Sequence, residues 1–350
     1  MRRAFALGSR AFRLAILCSA GFLAACLGSS SLPRQTECFD KSLLARPTEC
    51  FDKCSRTRPT ACFDPASGAQ ARAERSPVRW LAAGWFTFGA SEEDIDQARR
   101  LCVSERIPLA LRLRGCASDE LFDAELPARR VYLSRYGLDR YEVTQAELAR
   151  CVAGGICEQS SYATEQPGLT HPSQPAIGLS WAEAGRLCAF RGGRLPTEAE
   201  WERAARGDSA RRFPWGFFYH PALANHGAPS SPLDPTEGAP SDADGYRYLA
   251  PSRAFEQAES PHGAVQMAGN VWEWTADSFV PVRAEPLRVD PSVQTDNGQR
   301  VVRGGSFRSP AILLRVTHRE GRAEARGFVD VGVRCAYDLT RSGSRPSEPP

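Results

Sequence analysis

The chain predicts a single large α+β domain built from short helices, short strands and much irregular backbone. Three observations carry that expectation. Thr/Ser-x-x-Glu capping boxes occur at Thr144 with Glu147, Ser180 with Glu183 and Thr197 with Glu200, and each opens a short helix. The strand-like runs are equally short. Gly and Pro punctuate the whole sequence, leaving stretches such as 207–262 without a regular period. Hydrophobic residues make up 42% of the 350, enough for a packed core. A domain with so little regular structure needs other clamps, and disulfides and bound ions are the natural ones.

In chain order, strand-like runs are read at 80–88 and 131–138. Thr144 then starts a helix over 145–152: its hydroxyl accepts from a first-turn N–H while Glu147 reaches back. Ser180 starts 181–191 and Thr197 starts 198–206 in the same way; Pro196 helps to define the second entry. Trp201, flanked by Glu198 and Glu202, is a core anchor. In GNVWEWTAD, from Gly269, Trp272 and Trp274 alternate with Glu273. Period two puts both indoles on one side and the carboxylate on the other. Runs at 300–303 and 329–336 complete the strands.

Residues 1–25 have the form of a secretory signal segment. Arg2, Arg3, Arg10 and Arg13 precede or flank an apolar run at 14–25 that is too short to span about 30 Å of hydrocarbon. It ends in Leu23-Ala24-Ala25-Cys26, which resembles a bacterial lipobox and implies lipidation of Cys26; the alternative is a plain signal with an incidental cysteine. Leu27 supplies no Asp for inner-membrane retention. The expected location is the cell envelope, lipid-anchored, on the outer membrane. Segment 26–75 reads as a Cys-rich stalk, with TECFDK at 36–41 and 48–53 and TACFDP at 60–65; 76–338 as the domain; 339–350 as a disordered tail. Of twelve cysteines, Cys18 leaves with the signal and Cys26 takes the lipid, so ten remain. An even number in an oxidising compartment reads as disulfides. Cys102 with Cys116 and Cys151 with Cys157 are local candidates, but the sequence leaves open whether Cys102 and Cys116 pair, as it does the pairing of Cys38, Cys50, Cys54 and Cys62. A net charge of +3, with no basic helix or stacking platform, argues against nucleic acid as partner.

Eight motifs occur in one order: WLAAGWFTFG from Trp80, DRYEVTQAEL from Asp139, GLSWAEAGRLC from Gly178, GGRLPTEAEWERAARG from Gly192, FPWG from Phe213, GNVWEWTAD from Gly269, RVVRGGSF from Arg300 and VGVRCA from Val331. Together they resemble the formylglycine-generating enzyme family, the sulfatase-modifying-factor domain, over about 78–338. The resemblance implies a loop-rich α+β fold of C-type-lectin-like kind, and a disulfide between Cys188 and Cys335. A second family disulfide is lost, with Ala205 and Arg319 in its places. It implies calcium at two sites of side-chain and carbonyl oxygens. One is Asn225, His226, Asp244 and Tyr246. The other is Gln266, Gly269, Val271 and Glu273, expected to be weaker because Gln266 departs from the usual acid or Asn. Without metal, Asp242–Gly245 is a plain surface turn.

Enzymes of this family oxidise a sulfatase cysteine to formylglycine using copper held by two cysteines. Aligned on Gly304-Gly305-Ser306, those positions are Ser309 and Leu314, and neither offers the soft thiolate that Cu(I) requires. Copper is not expected. Ser306 matches the family serine, so a vestigial pocket of Ser306, Ser309, Leu314 and Trp272 is expected without a catalytic set. Three functions follow: a pseudoenzyme that binds a peptide, glycan or envelope partner; a formylglycine-generating oxidase; or another oxidoreductase on the same scaffold, such as an iron-dependent sulfoxide-forming one. The first leads, because fold does not fix function. Two further ideas rank lower: a zinc ion among His220, His226 and His262, and an anionic ligand at His318 between Arg315 and Arg319. Solvated charges on a strand edge are the commoner meaning of the latter.

Overall fold

Two runs that look continuous in the sequence each divide into two strands. β1 (Val78–Leu81) and β2 (Gly84–Phe88) share the first run; β3 (Arg129–Leu133) and β4 (Tyr136–Asp139) share the second. β1 pairs antiparallel with β4, and β2 with β3. At the break Arg203 Nη1 takes the Ala82 carbonyl at 2.9 Å. Gly84 passes so close that a Cβ there would meet Arg203 Nη2 at 2.8 Å. A guanidinium thus replaces ladder bonds where the ribbon changes course.

The computed structural model describes residues 76–104, 116, 120–160, 167–230, 238–281 and 289–339. The expected signal segment, Cys26, the stalk cysteines and nearly all of the tail lie outside them.

All three expected capping boxes close in both directions. They start α3 (Gln145–Ala153), α4 (Trp181–Phe190) and α5 (Glu198–Arg206). Before these come α1 (Glu92–Ser104) and the short α2 (Glu120–Asp123). α1 was not expected, because its box uses Asp in place of Glu. Ser91 Oγ accepts from Asp94 N–H at 3.2 Å, and Asp94 Oδ2 accepts from Ser91 N–H at 3.0 Å.

The main sheet runs in the order β10–β7–β8–β9, with β7 (Trp272–Ser278), β8 (Gln299–Arg303), β9 (Arg319–Ala323) and β10 (Val331–Gly332). Only β10 lies parallel to its neighbour. β11 (Ala336–Tyr337) leaves that sheet and joins β4. A small pair, β5 (Ala228–Pro229) with β6 (Gly238–Ala239), stands apart.

The expected strand 329–336 is therefore interrupted where the chain crosses between sheets, at Val333–Cys335. Arg334 is fully buried there and uses all five N–H donors. Nη1 donates to the carbonyls of Asp139 and Arg140 at 3.0 and 2.7 Å, and Nη2 to Val265 O and Glu273 Oε1, both at 2.8 Å. Nε faces both Glu273 oxygens, at 3.2 and 3.0 Å. Both faces of β7 are consequently buried. The indoles of Trp272 and Trp274 enter one core cluster, while Glu273, 1% exposed, meets Arg334 on the other face.

Three disulfides close within the described residues: Cys102–Cys116, Cys151–Cys157 and Cys188–Cys335, with Cα separations of 5.8, 5.2 and 5.4 Å. The last joins α4 to the crossing segment over a sequence separation of 147. Replacing both Cys188 and Cys335 by Ser should lower stability by about 3–5 kcal/mol, chiefly through the unfolded chain. Urea unfolding under non-reducing conditions checks this; an unchanged midpoint would contradict it.

Candidate functional site

After β8 the chain turns at Gly304-Gly305-Ser306. Both glycines have left-handed φ, 95° and 76°. A Cβ on Gly304 would press on the Trp201 ring at 3.1 Å, and one on Gly305 would lie 2.6 Å from Leu314 Cδ2 and 3.3 Å from Ser309 Cβ. Conformation and space both require glycine here. The same contacts show that positions 309 and 314 meet beneath the corner. What meets there is a hydroxyl and an isobutyl group.

Ser309 Oγ accepts from Ser306 N–H at 2.9 Å and lies 3.4 Å from Ser306 Oγ. Ser306 Oγ donates to Asp330 Oδ2 at 3.2 Å and accepts from Arg308 N–H at 3.2 Å. Burial pushes the Asp330 carboxyl up, against the pull of Arg322, the Ser306 hydrogen bond and Arg308. Leu314 does not line the cleft above this corner. It packs below with Phe213, Ala224 and Ala268. The cleft, about 390 Å³, is walled by Trp272, Ser306, Ser309 and Leu313 and rimmed by charged side chains, among them Arg308, Glu320 and Arg322. Of the expected pocket, then, Trp272, Ser306 and Ser309 converge and Leu314 sits beneath. Asp330 was missed because it lies inside an apolar run read only as strand; a lone acid in such a run is the signal that marks it.

His318, Arg315 and Arg319 neither form an anion site nor lie solvated on an edge. Glu125, 1% exposed, accepts from Arg315 Nη1 and Nη2 at 2.8 and 2.7 Å and from the Thr317 hydroxyl at 2.6 Å. His318 sits between Glu125 Oε1 at 3.3 Å and Glu320 Oε1 at 3.5 Å. Arg319 clamps Glu198 through two bonds, at 2.6 and 2.8 Å. The His318 ring packs on Trp272 with centroids 5.8 Å apart, so this cluster braces the cleft wall. Burial pushes Glu125 up, but Arg315 and His318 overcome it and hold it at about 2. Burial pulls His318 down, and its bonds to Glu125 and Glu320 reverse that, leaving it raised.

The expected calcium positions divide. Around the first, Asn225 is fully buried and its Oδ1 has no partner, while Nδ2 donates to Tyr248 O at 2.7 Å and Asn270 Oδ1 at 2.9 Å. Asp244 folds over the next residue, accepting from His226 N–H at 2.7 Å and from Tyr246 N–H at 2.9 Å. An orphaned buried oxygen beside an oriented carboxylate fits a hard cation. Around the second, Gln266 Oε1 is likewise unpartnered, at a left-handed residue with φ 57°, and Gly269 and Val271 lie on the same turn into β7. Glu273, however, is not free among carbonyls as expected. Both its oxygens face Arg334, and Oε2 also accepts from Trp201 Nε1 at 2.7 Å. A fixed guanidinium stands against a dication at that carboxylate, so this second set does not fit calcium as read. The zinc idea also fails on geometry. His220 Nδ1 accepts from Ala222 N–H and His226 Nε2 faces Tyr219 OH at 3.0 Å. Among the described residues no group of three or more His, Cys, Asp or Glu gathers for a metal.

The fold is a mixed helix-and-sheet domain whose cleft opens over a Gly-Gly-Ser corner. Residues 68–339 match the family described as the sulfatase-modifying factor enzyme 1-like domain, and the chain belongs to it. It is 29% identical over 307 residues to the formylglycine-generating enzyme of Bos taurus, covering 74% of each. It is 35% identical over 181 residues to the inactive C-alpha-formylglycine-generating enzyme 2 of Mus musculus, covering 50% of this chain and 51% of that one. The structure of PvdO from Pseudomonas aeruginosa shares the fold at a TM-score of 0.55 and 24% identity, covering 75% of this chain and 94% of that one.

The Glu125 cluster makes a pH-dependent prediction. Glu125 is depressed, so its contribution is full above its ordinary value of 4.5 and is lost as the pH falls through about 2. His318 is raised, so its contribution is full below 6.5 and fades as the pH climbs through its elevated value. Glu125→Gln should cost about 3–5 kcal/mol at neutral pH, since it leaves Arg315 buried without its partner. It should also flatten the acid-side loss in unfolding free energies measured across the pH range. A variant as stable as the parent would refute the role given to this pair.

Proposed function

We propose that this domain is a non-catalytic binding module of an exported lipoprotein, anchored to the membrane through Cys26 in the cell envelope. Its cleft takes a peptide, a glycan or another envelope protein. The observation that supports this most is the meeting of Ser309 and Leu314 beneath Gly305. The positions that the family uses to grip copper are adjacent, but one is a hydrogen-bonded hydroxyl and the other an aliphatic side chain buried in apolar contacts. Neither is a soft donor. All six cysteines among the described residues are paired, so none can take their place. The mouse relative carries the word inactive in its name, which agrees with a non-catalytic member of the family.

Within this reading, Asn225, His226, Asp244 and Tyr246 hold a structural calcium ion that fixes the loop before β5. Calcium there supplies charge to Asn225 Oδ1 and Asp244 and takes no part in chemistry.

Anaerobic titration of the purified chain with Cu(I) against a chromogenic chelator should show no stoichiometric tight site, and a cysteine-containing sulfatase peptide should gain no aldehyde. Tight binding of one equivalent, or aldehyde in the peptide, would restore the oxidase. For calcium, the ion at about 100 times its dissociation constant should stabilise the parent by about 2.7 kcal/mol. Asp244→Ala should lose that response; an equal gain in both would remove calcium from this loop.

A further inference from the structure

The charges around the cleft are unevenly matched. Elsewhere, buried guanidiniums meet carboxylates directly: Arg315 with Glu125, Arg319 with Glu198, Arg334 with Glu273. The cleft brings three arginines, Arg308, Arg322 and Arg326, to two carboxylates, Glu320 and Asp330. Glu320 is shared twice over, with Arg322 Nη2 at 2.8 Å and His318 Nε2 at 3.5 Å. Asp330 is engaged by the Ser306 hydroxyl. The surplus in the cleft is positive.

The donors are also held in place. The Arg322 guanidinium lies over the rings of Trp272 and Phe328, at 5.9 and 5.7 Å from their centroids, and Arg326 lies over Phe328 at 4.9 Å. Arg322 Nε is shut off from solvent without an acceptor, as are the Nε atoms of Arg191, Arg206, Arg212 and Arg303, so its Nη groups are the ones that face the cleft. The hydroxyls of Ser306 and Ser309 lie 3.4 Å apart at the floor.

We propose that this cleft is an oxyanion site: it takes a ligand bearing a sulfate, phosphate or carboxylate group, held by Arg322 and Arg308 above the Ser306–Ser309 floor. The planar fork of arginine matches the oxygens of all three groups. The cleft, about 390 Å³, has room for the anion together with a small polar body such as one sugar or amino-acid residue. This rests on the binding-module reading of the same cleft and narrows it from any partner to an anionic one.

The test is calorimetric titration of the full chain at low salt with sodium sulfate, inorganic phosphate and glucuronate in separate arms, so that the three sources of the group are told apart. At least one arm should saturate at one site per chain. Arg322→Gln should weaken that arm about tenfold or more, since it removes a charge-assisted donor pair. Arg308→Gln, at an exposed position, should weaken it severalfold without altering the thermal midpoint, which keeps the test clear of misfolding. No saturable binding in any arm up to about 10 mM, where even millimolar affinity registers, overturns the proposal. So does binding that neither variant changes. Anion binding together with copper-dependent aldehyde formation would keep the oxyanion site and end the non-catalytic reading; no anion binding and no aldehyde would do the reverse.

Discussion

Arg334 carries five N–H groups, and every one is used inside the protein. Its partners come from the end of β4, the loop at Val265 and β7, so one side chain joins pieces that secondary structure leaves separate. Glu273 balances its charge and takes the Trp201 indole as well, which brings in α5. The next residue, Cys335, is bonded to Cys188 on α4. In a chain of two- to seven-residue strands, this node does what long ladders do elsewhere. A buried ion pair with one partner missing is far more costly than none, so both members must be present together.

The corner at Gly304–Ser306 hangs from β8, next to β7 and its node, and Ser309 and Leu314 pack directly beneath it. Ser309 is satisfied locally by the Ser306 amide, and Leu314 fills an apolar space under Gly305. Neither side chain leaves an unpaired buried polar atom beneath the corner. The wall of the cleft is braced from behind by the Glu125 cluster through His318 and Trp272. That bracing is electrostatic, whereas the packing beneath the Ser306–Ser309 floor is apolar.

The sequence was readable where a local rule acts and silent where distant segments meet. Capping boxes are local, and α3, α4 and α5 begin where Thr144, Ser180 and Thr197 place them. Strand runs were found but not their breaks, because Arg203 at Ala82 and Arg334 at the sheet crossing act from far along the chain. The cleft positions Ser306, Ser309 and Trp272 followed from the family motifs. Asp330, Arg308 and Arg322 did not, since no local pattern brings β9 and the segment before β10 to one corner. Likewise Glu125 lies some 190 residues from Arg315, and nothing near either predicts the pair.

The central claim is that every cysteine among the described residues of this domain is tied up in a disulfide. The most direct measurement is mass spectrometry after alkylating the folded, unreduced chain. Between residues 76 and 339 the account predicts no alkylated cysteine, and fragments linked as Cys102–Cys116, Cys151–Cys157 and Cys188–Cys335. Two cysteines of that region alkylated together in the native state, and shielded when Cu(I) is present, would contradict it.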